Sequence, residues 1–143
     1  MKHRIAWQSM LIALALVVLS VASPQGQESS TTAAQASVEE WLSLIDNQSY
    51  AASWDDAASL FKNAVTQATW QAAVQTARGP FGPLKSRALK SATITKTLPG
   101  APDGEYVVFQ FNAGFEKKAA AVETVTAIRE QDGRWRVGGY FVK

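Results

Sequence analysis

Residues 106–142, YVVFQFNAGFEKKAAAVETVTAIREQDGRWRVGGYFV, decide the fold. Val107, Phe109, Phe111, Ala113 and Phe115 recur at every second position, with Tyr106, Gln110 and Asn112 on the opposite side. That period describes a strand with one buried face. Glu116-Lys117-Lys118 marks a turn, and two more strands run from about Val122 to Gln131 and from Arg134 to Val142. Asp132-Gly133 between them is a two-residue hairpin signal, because such a turn needs positive φ, which these residues tolerate. This turn sets Gln131 opposite Arg134. Trp135, Val137, Gly139 and Phe141 then share a face with Glu130, Ile128, Thr126 and Thr124, and this face is expected beneath helices. Arg136, Gly138 and Tyr140 fall on the other face with Arg129, Ala127 and Val125. Gly138-Gly139 inside a strand calls for a bend, a bulge or the close approach of another backbone.

Outward from this core the period changes. Residues 84–98 are rich in Thr, Ser and Lys, a weak strand suited to a sheet edge, and Pro99 to Gly104 (PGAPDG) forms a turn. Upstream, Val38, Trp41, Leu42, Leu44 and Ile45 form a helical stripe between Ala33 and Asn47, broken by Asn47-Gln48-Ser49. Tyr50, Trp54, Ala57, Ala58 and Phe61 form a second stripe. Thr66 suits the N-cap of a third helix carrying Trp70, Ala73, Val74 and Ala77, which Gly79-Pro80 and Gly82-Pro83 end. Three helices and then four strands predict an α+β domain, with the helices packed on one face of a curved, cone-like antiparallel sheet.

The N-terminus reads as an address. Lys2, His3 and Arg4 precede an apolar run from Met10 to Leu19, and Ser20-Val21-Ala22 offers small residues to a signal peptidase. Residues 1–22 are therefore expected to be a cleaved signal peptide, which places the protein in the periplasm or secretes it. The apolar run is short of the ~20 residues that span a bilayer, so no stable membrane anchor remains after cleavage. An uncleaved N-terminal anchor is the alternative. Residues 23–32 (SPQGQESSTT) read as a flexible lead-in, and residues 33–143 as one domain.

Cleavage would also change the charge. The chain has 14 Lys+Arg and 12 Asp+Glu, and Lys2 and Arg4 leave with the signal, so the remainder is neutral. His3, the single histidine, leaves too, and there is no cysteine. Imidazole bases, thiolate nucleophiles and zinc sites built on nitrogen or sulfur are thereby excluded from the mature part. Neither a metal nor a cofactor is expected. A neutral exported domain whose bases are not interleaved with exposed aromatics is also a poor match for nucleic acid.

Five segments together resemble a known group: WLSLIDNQSYAASW (41–54), RGPFGPLKSR (78–87), LPGAPDGEY (98–106), ETVT (123–126) and DGRWRVGGYFVK (132–143). In that order they are similar to the bacterial domain of unknown function 4019, whose members are small and typically exported. The resemblance implies no activity, substrate or cofactor, so no catalytic residue is carried over. The element order also resembles the cone-shaped nuclear-transport-factor-2-like and cystatin-like folds, a likeness of fold that carries no function.

Six residues are candidates for ligand binding. Tyr50 and Trp54, with Phe61, can line a cavity and offer polar handles, although aromatics at helical spacing more often form core. Arg78 and Arg87 flank a glycine-rich turn in a stretch with no acid before Asp103, and can clamp a carboxylate or phosphate. The competing reading pairs these bases with acidic helices, since residues 23–61 hold six acids and no base. RGPFG lacks the phosphate-loop pattern. Thr124 and Thr126 are expected to point toward the helix-covered face, and Glu123 away from it. Asp46 or Glu123 as a general base lacks a partner fixed by sequence. The leading expectation is a non-catalytic module that binds a small molecule, peptide or envelope partner. The alternative is a small isomerase or hydrolase that uses a carboxylate and tyrosine in the cone.

Overall fold

A computed structural model describes residues 24–143, so the expected signal peptide lies outside the described residues. The order is α1 (Pro24–Asp46), α2 (Tyr50–Asp55), α3 (Ser59–Ala64), α4 (Gln67–Arg78), a 3-10 turn (Gly79–Phe81), then β1 (Leu84–Thr95), β2 (Tyr106–Phe115), β3 (Lys118–Arg129) and β4 (Trp135–Val142). The strands form an antiparallel sheet in the order β1-β2-β3-β4, with the helices preceding it in the chain. The fold is α+β, and β1 lies at an edge as its composition predicts.

Two helical expectations need correction. The helix α1 begins at Pro24, so most of the expected flexible lead-in is helical. The Thr31 and Thr32 hydroxyls donate to the carbonyls of Gln27 and Glu28, one turn back, at 2.9 Å each. Polar residues on a solvated face are compatible with a helix whose other face is held by packing, and here Ala34, Val38, Trp41, Leu42 and Ile45 are buried. The helix stops where Gln48 takes a left-handed φ of 60° and Ser49 N–H donates to the Leu44 carbonyl. The second stripe is not one helix but two, α2 and α3, of six residues each. Ala58 turns to an extended conformation so that its N–H can donate to the Val137 carbonyl of β4 at 2.7 Å. Thr66 caps α4 as expected, its hydroxyl accepting from Thr69 N–H.

Beneath the helices, Phe109, Phe111, Val107, Val125, Ala127 and Val137 meet the buried stripe of α1 together with Trp70 and Val74 of α4. Two indoles converge on one serine of α2. Trp41 Nε1 donates to the Ser53 carbonyl at 2.8 Å and Trp70 Nε1 to the Ser53 hydroxyl at 2.9 Å. A buried indole N–H needs such a partner.

The β3–β4 hairpin departs from the two-residue expectation in two compensating places. Glu130 N–H donates to the Arg134 carbonyl, so the loop holds three residues, with Gly133 at φ +81°. Arg129 therefore pairs with Trp135, Ile128 with Arg136 and Ala127 with Val137, one residue off the expected register. A register shift follows, with Gly138 as the additional residue, and Thr126 pairs with Gly139 and Val125 with Tyr140, as expected. The bulge breaks the alternation of β4, so Val137 and Tyr140 both reach the helix side. Phe141 is exposed, and the covered face of β3 is Ala121, Glu123, Val125 and Ala127. The expected assignment of Thr124 and Thr126 to the covered face is thus reversed, and Glu123 points inward.

Candidate functional site

Five elements each deliver one polar group to one end of the interior. Asp46 is the last residue of α1 and Arg78 the last of α4; Arg87 comes from β1, Glu123 from β3 and Tyr140 from β4. The helix-side positions of β3 alternate Ala121, Glu123, Val125 and Ala127, which puts one acid in an otherwise apolar row. Glu123 is 0% exposed and Arg78 5%, while Arg87 and Asp46 are 14% and 18% exposed at the rim.

The Arg87 guanidinium holds two carboxylates at once. Nε donates to Glu123 Oε1 at 2.7 Å and Nη2 to Oε2 at 3.2 Å, while Nη1 and Nη2 donate to the two oxygens of Asp46 at 2.7 and 2.9 Å. Arg78 completes the ring. Its Nη2 donates to Asp46 at 3.1 Å, and its Nη1 donates to the Tyr140 hydroxyl at 3.3 Å and lies 3.6 Å from Glu123. Tyr140 donates in turn to Glu123 at 2.5 Å. Arg78 also sits over the Phe115 ring, 4.4 Å from its centroid, and its buried Nε has no hydrogen-bond partner among the described residues. Two guanidiniums and two carboxylates leave the cluster neutral, the condition under which buried charges are tolerated.

The same contacts set the proton affinities. Burial works against charge on Arg87, but its hydrogen bonds and charge contacts with Asp46 and Glu123 outweigh this and hold its pKa above the ordinary value. For Arg78 burial again opposes the charge, and contacts with Tyr140 and Asp46 again prevail. Burial, and then the Glu123 charge, pushes the Tyr140 hydroxyl well above the usual tyrosine range, with Arg78 offsetting part of the effect. Tyr140 is therefore a neutral donor, and both carboxylates are engaged as acceptors.

The candidate residues separate into three groups. Arg78 and Arg87 come together as a clamp, but the carboxylates in it are the chain's own Asp46 and Glu123. Tyr50 and Trp54 pack against the main core, and Trp54 Nε1 donates to the Val65 carbonyl at 2.8 Å, which ties α2 to the start of α4. Thr124 and Thr126 lie on the outer face of the sheet, where Thr124 lies 3.5 Å from the side-chain amide of Gln110. Sequence reasoning missed Glu123 and Tyr140 as inward groups. The apolar alternation of β3 alone identifies Glu123, whereas the hairpin turn pointed the other way.

A separate open cleft of about 400 Å³ lies between the helices and the β3–β4 loop. There Arg136 binds Glu130 at 2.7 Å and Asp132 at 2.9 Å. The hydrogen bond from Arg136, followed by one from the Arg134 backbone, lowers the Asp132 carboxyl to about 2. Among the described residues no three His, Cys, Asp or Glu side chains gather as metal ligands would, and no helix is long and apolar enough to cross a membrane.

The fold is similar to that of solved bacterial structures. A protein from Catenulispora acidiphila is similar at a TM-score of 0.55 and 11% identity, over 83% of this chain and 94% of its own. Aln2 from a Streptomyces species is similar at 0.50 and 11%, over 86% of this chain and 93% of its own. At such identities the likeness is one of fold. The family model described as "Protein of unknown function (DUF4019)" matches residues 37–140, and the chain belongs to that family. No curated protein matches the sequence.

Proposed function

We propose that this protein is an exported, non-catalytic domain that binds a peptide, small molecule or envelope partner, in a cone-like framework of the nuclear-transport-factor-2-like and cystatin-like kind. The observation that carries the reading is the closed state of the ion cluster. An enzyme of carboxylate and tyrosine chemistry needs an acid or base free to exchange a proton with substrate. Here Asp46 and Glu123 are held by the two arginines and Tyr140 is held neutral, while Trp41, Trp70 and Phe61 occupy the space between helices and sheet. A filled interior directs recognition to the outside of the domain. Periplasmic export rests on the basic, apolar and small-residue order of residues 1–22.

Proximity crosslinking of the tagged protein in its native envelope, with the intact mass of the exported fraction, tests both parts. The expected result is a mass lacking residues 1–22 and a stoichiometric partner. A mass that begins at Met1 counts against cleavage. A Glu123→Gln variant that keeps its fold and partner but loses a turnover activity would replace the binding module with an enzyme.

A further inference from the structure

The two edges of the sheet are not equivalent. At β4 the edge is closed in the middle: Ala58 N–H donates to the Val137 carbonyl, and Glu130 next to it accepts from Ser59 N–H. The strand is also short, at 8 residues. At β1 the opposite holds. It runs 12 residues, and its neighbour in the sheet is β2 alone, so along its other side the main-chain donors and acceptors are directed outward. A long edge of this kind is a template for a further strand.

Its side chains describe what that strand must be. Leu89 pairs with Phe111, Ala92 with Phe109 and Ile94 with Val107, so all three lie on the face that the helices cover further along the sheet. Yet Leu89 is 43% and Ile94 51% exposed. The helices cover this edge only in part, α1 facing Ile94 across a small cleft lined by Gln27 and Thr31, and a strand added to β1 would carry inward residues against these apolar side chains. The bases mark the charge. Lys85 and Lys90 stand at the two register shifts of β1, Lys96 follows its end, and no acid occurs between Gly79 and Pro102. Edge lysines discourage pairing with a like-charged or indifferent strand. They do not discourage an acidic one. A second copy of this chain would bring the same lysines against their equals.

We infer that β1 is the recognition edge of the domain, and that its partner is an extended acidic peptide segment with alternating apolar residues, taken up by strand addition. Main-chain hydrogen bonds supply the attachment, Leu89, Ala92 and Ile94 read alternate side chains, and the lysines select the charge. The inference rests on the binding reading above.

The test uses the full chain, nitrogen-labelled, with a synthetic peptide of alternating glutamate and valine. Amide exchange should slow at alternate residues of Leu84–Thr95, with the largest shift changes there. Lys85→Glu, Lys90→Glu and Lys96→Glu together should weaken binding by about tenfold or more and transfer preference to an alternating lysine–valine peptide. These positions are exposed, and an unchanged thermal midpoint confirms that the variant is folded. Protection along Trp135–Val142 instead, absence of peptide binding at β1, or indifference to charge reversal overturns the inference. Concentration-dependent dimerisation through β1 in sedimentation also overturns it, making a second copy the occupant. If β1 fails while envelope crosslinking still captures a partner, the edge is wrong and the binding function stands; acidic-peptide uptake at β1 with no partner in the envelope is the converse.

Discussion

At Arg87 one side chain answers for two carboxylates, Glu123 buried and Asp46 at the rim, and its removal shows what holds the cluster. Arg87→Ala leaves Glu123 fully buried, with Tyr140 and the more distant Arg78 as its remaining partners. The expected loss in urea denaturation is about 3–5 kcal/mol, because an uncompensated charge stays behind. Adding Glu123→Gln should recover part of it, since a neutral amide is less costly to bury than a lone carboxylate. If the double variant is no more stable than the single one, the cost lies in lost packing of the arginine stem. Arg78 and Arg87 were legible in the sequence as a pair, and so was their pairing with acids as a competing reading. Glu123 was not, because the covered face was read from Trp135, Val137 and Phe141, and the bulge at Gly138 puts Val137 inward and Phe141 outward.

The elements show where local signals suffice and where they fail. The alternation of β2, the edge position of β1, the N-cap at Thr66 and the α+β order could all be read directly, because each depends on neighbours in sequence. The break between α2 and α3 could not: a carbonyl of β4, at the far end of the chain, draws Ala58 N–H out of the helix. The polar start of α1 was hidden for a related reason, as its apolar contacts begin only at Ala34. In the hairpin, Asp-Gly announced a turn correctly but not its length, and the bulge at Gly138 then restored the register. A methyl group at Gly138 would collide with Ile128 Cδ1 and lie 2.7 Å from Cγ1. Gly138→Ala should therefore cost about 1–3 kcal/mol, and Ile128→Ala in the same chain should relieve much of it. Chemical denaturation of the four members of that cycle measures the coupling. Additive costs would mean that the bulge, rather than the clash, needs glycine.

For the molecule as a whole, alkaline titration reports on the cluster from outside. The Tyr140 pKa is raised above the ordinary tyrosine value of 10.0 in the folded state. Its contribution to stability is thus complete below pH 10 and declines above it, where the unfolded chain releases a proton that the folded one keeps. The expected slope is about 1.4 kcal/mol per pH unit. Tyr140→Phe should flatten the slope relative to the parent, and tyrosinate absorbance should show one of the three tyrosines silent until the fold opens. A parent slope identical to that of the variant would remove Tyr140 from the cluster.

The order in which the cluster's members lie along the chain has its own consequence. Asp46 comes from the first helix, the two arginines from the middle of the chain, and Glu123 and Tyr140 from its last strands. A chain that stops before β3 has two guanidiniums facing one carboxylate. A chain without α1 has the same imbalance with the other acid. Charge neutrality at this point is reached only when α1 and β3 are both present, and the Tyr140 hydrogen bond only with β4, so the cluster acts as a completeness check. Partial folds are denied the stability that the finished one enjoys, and the domain is expected to unfold as a single unit.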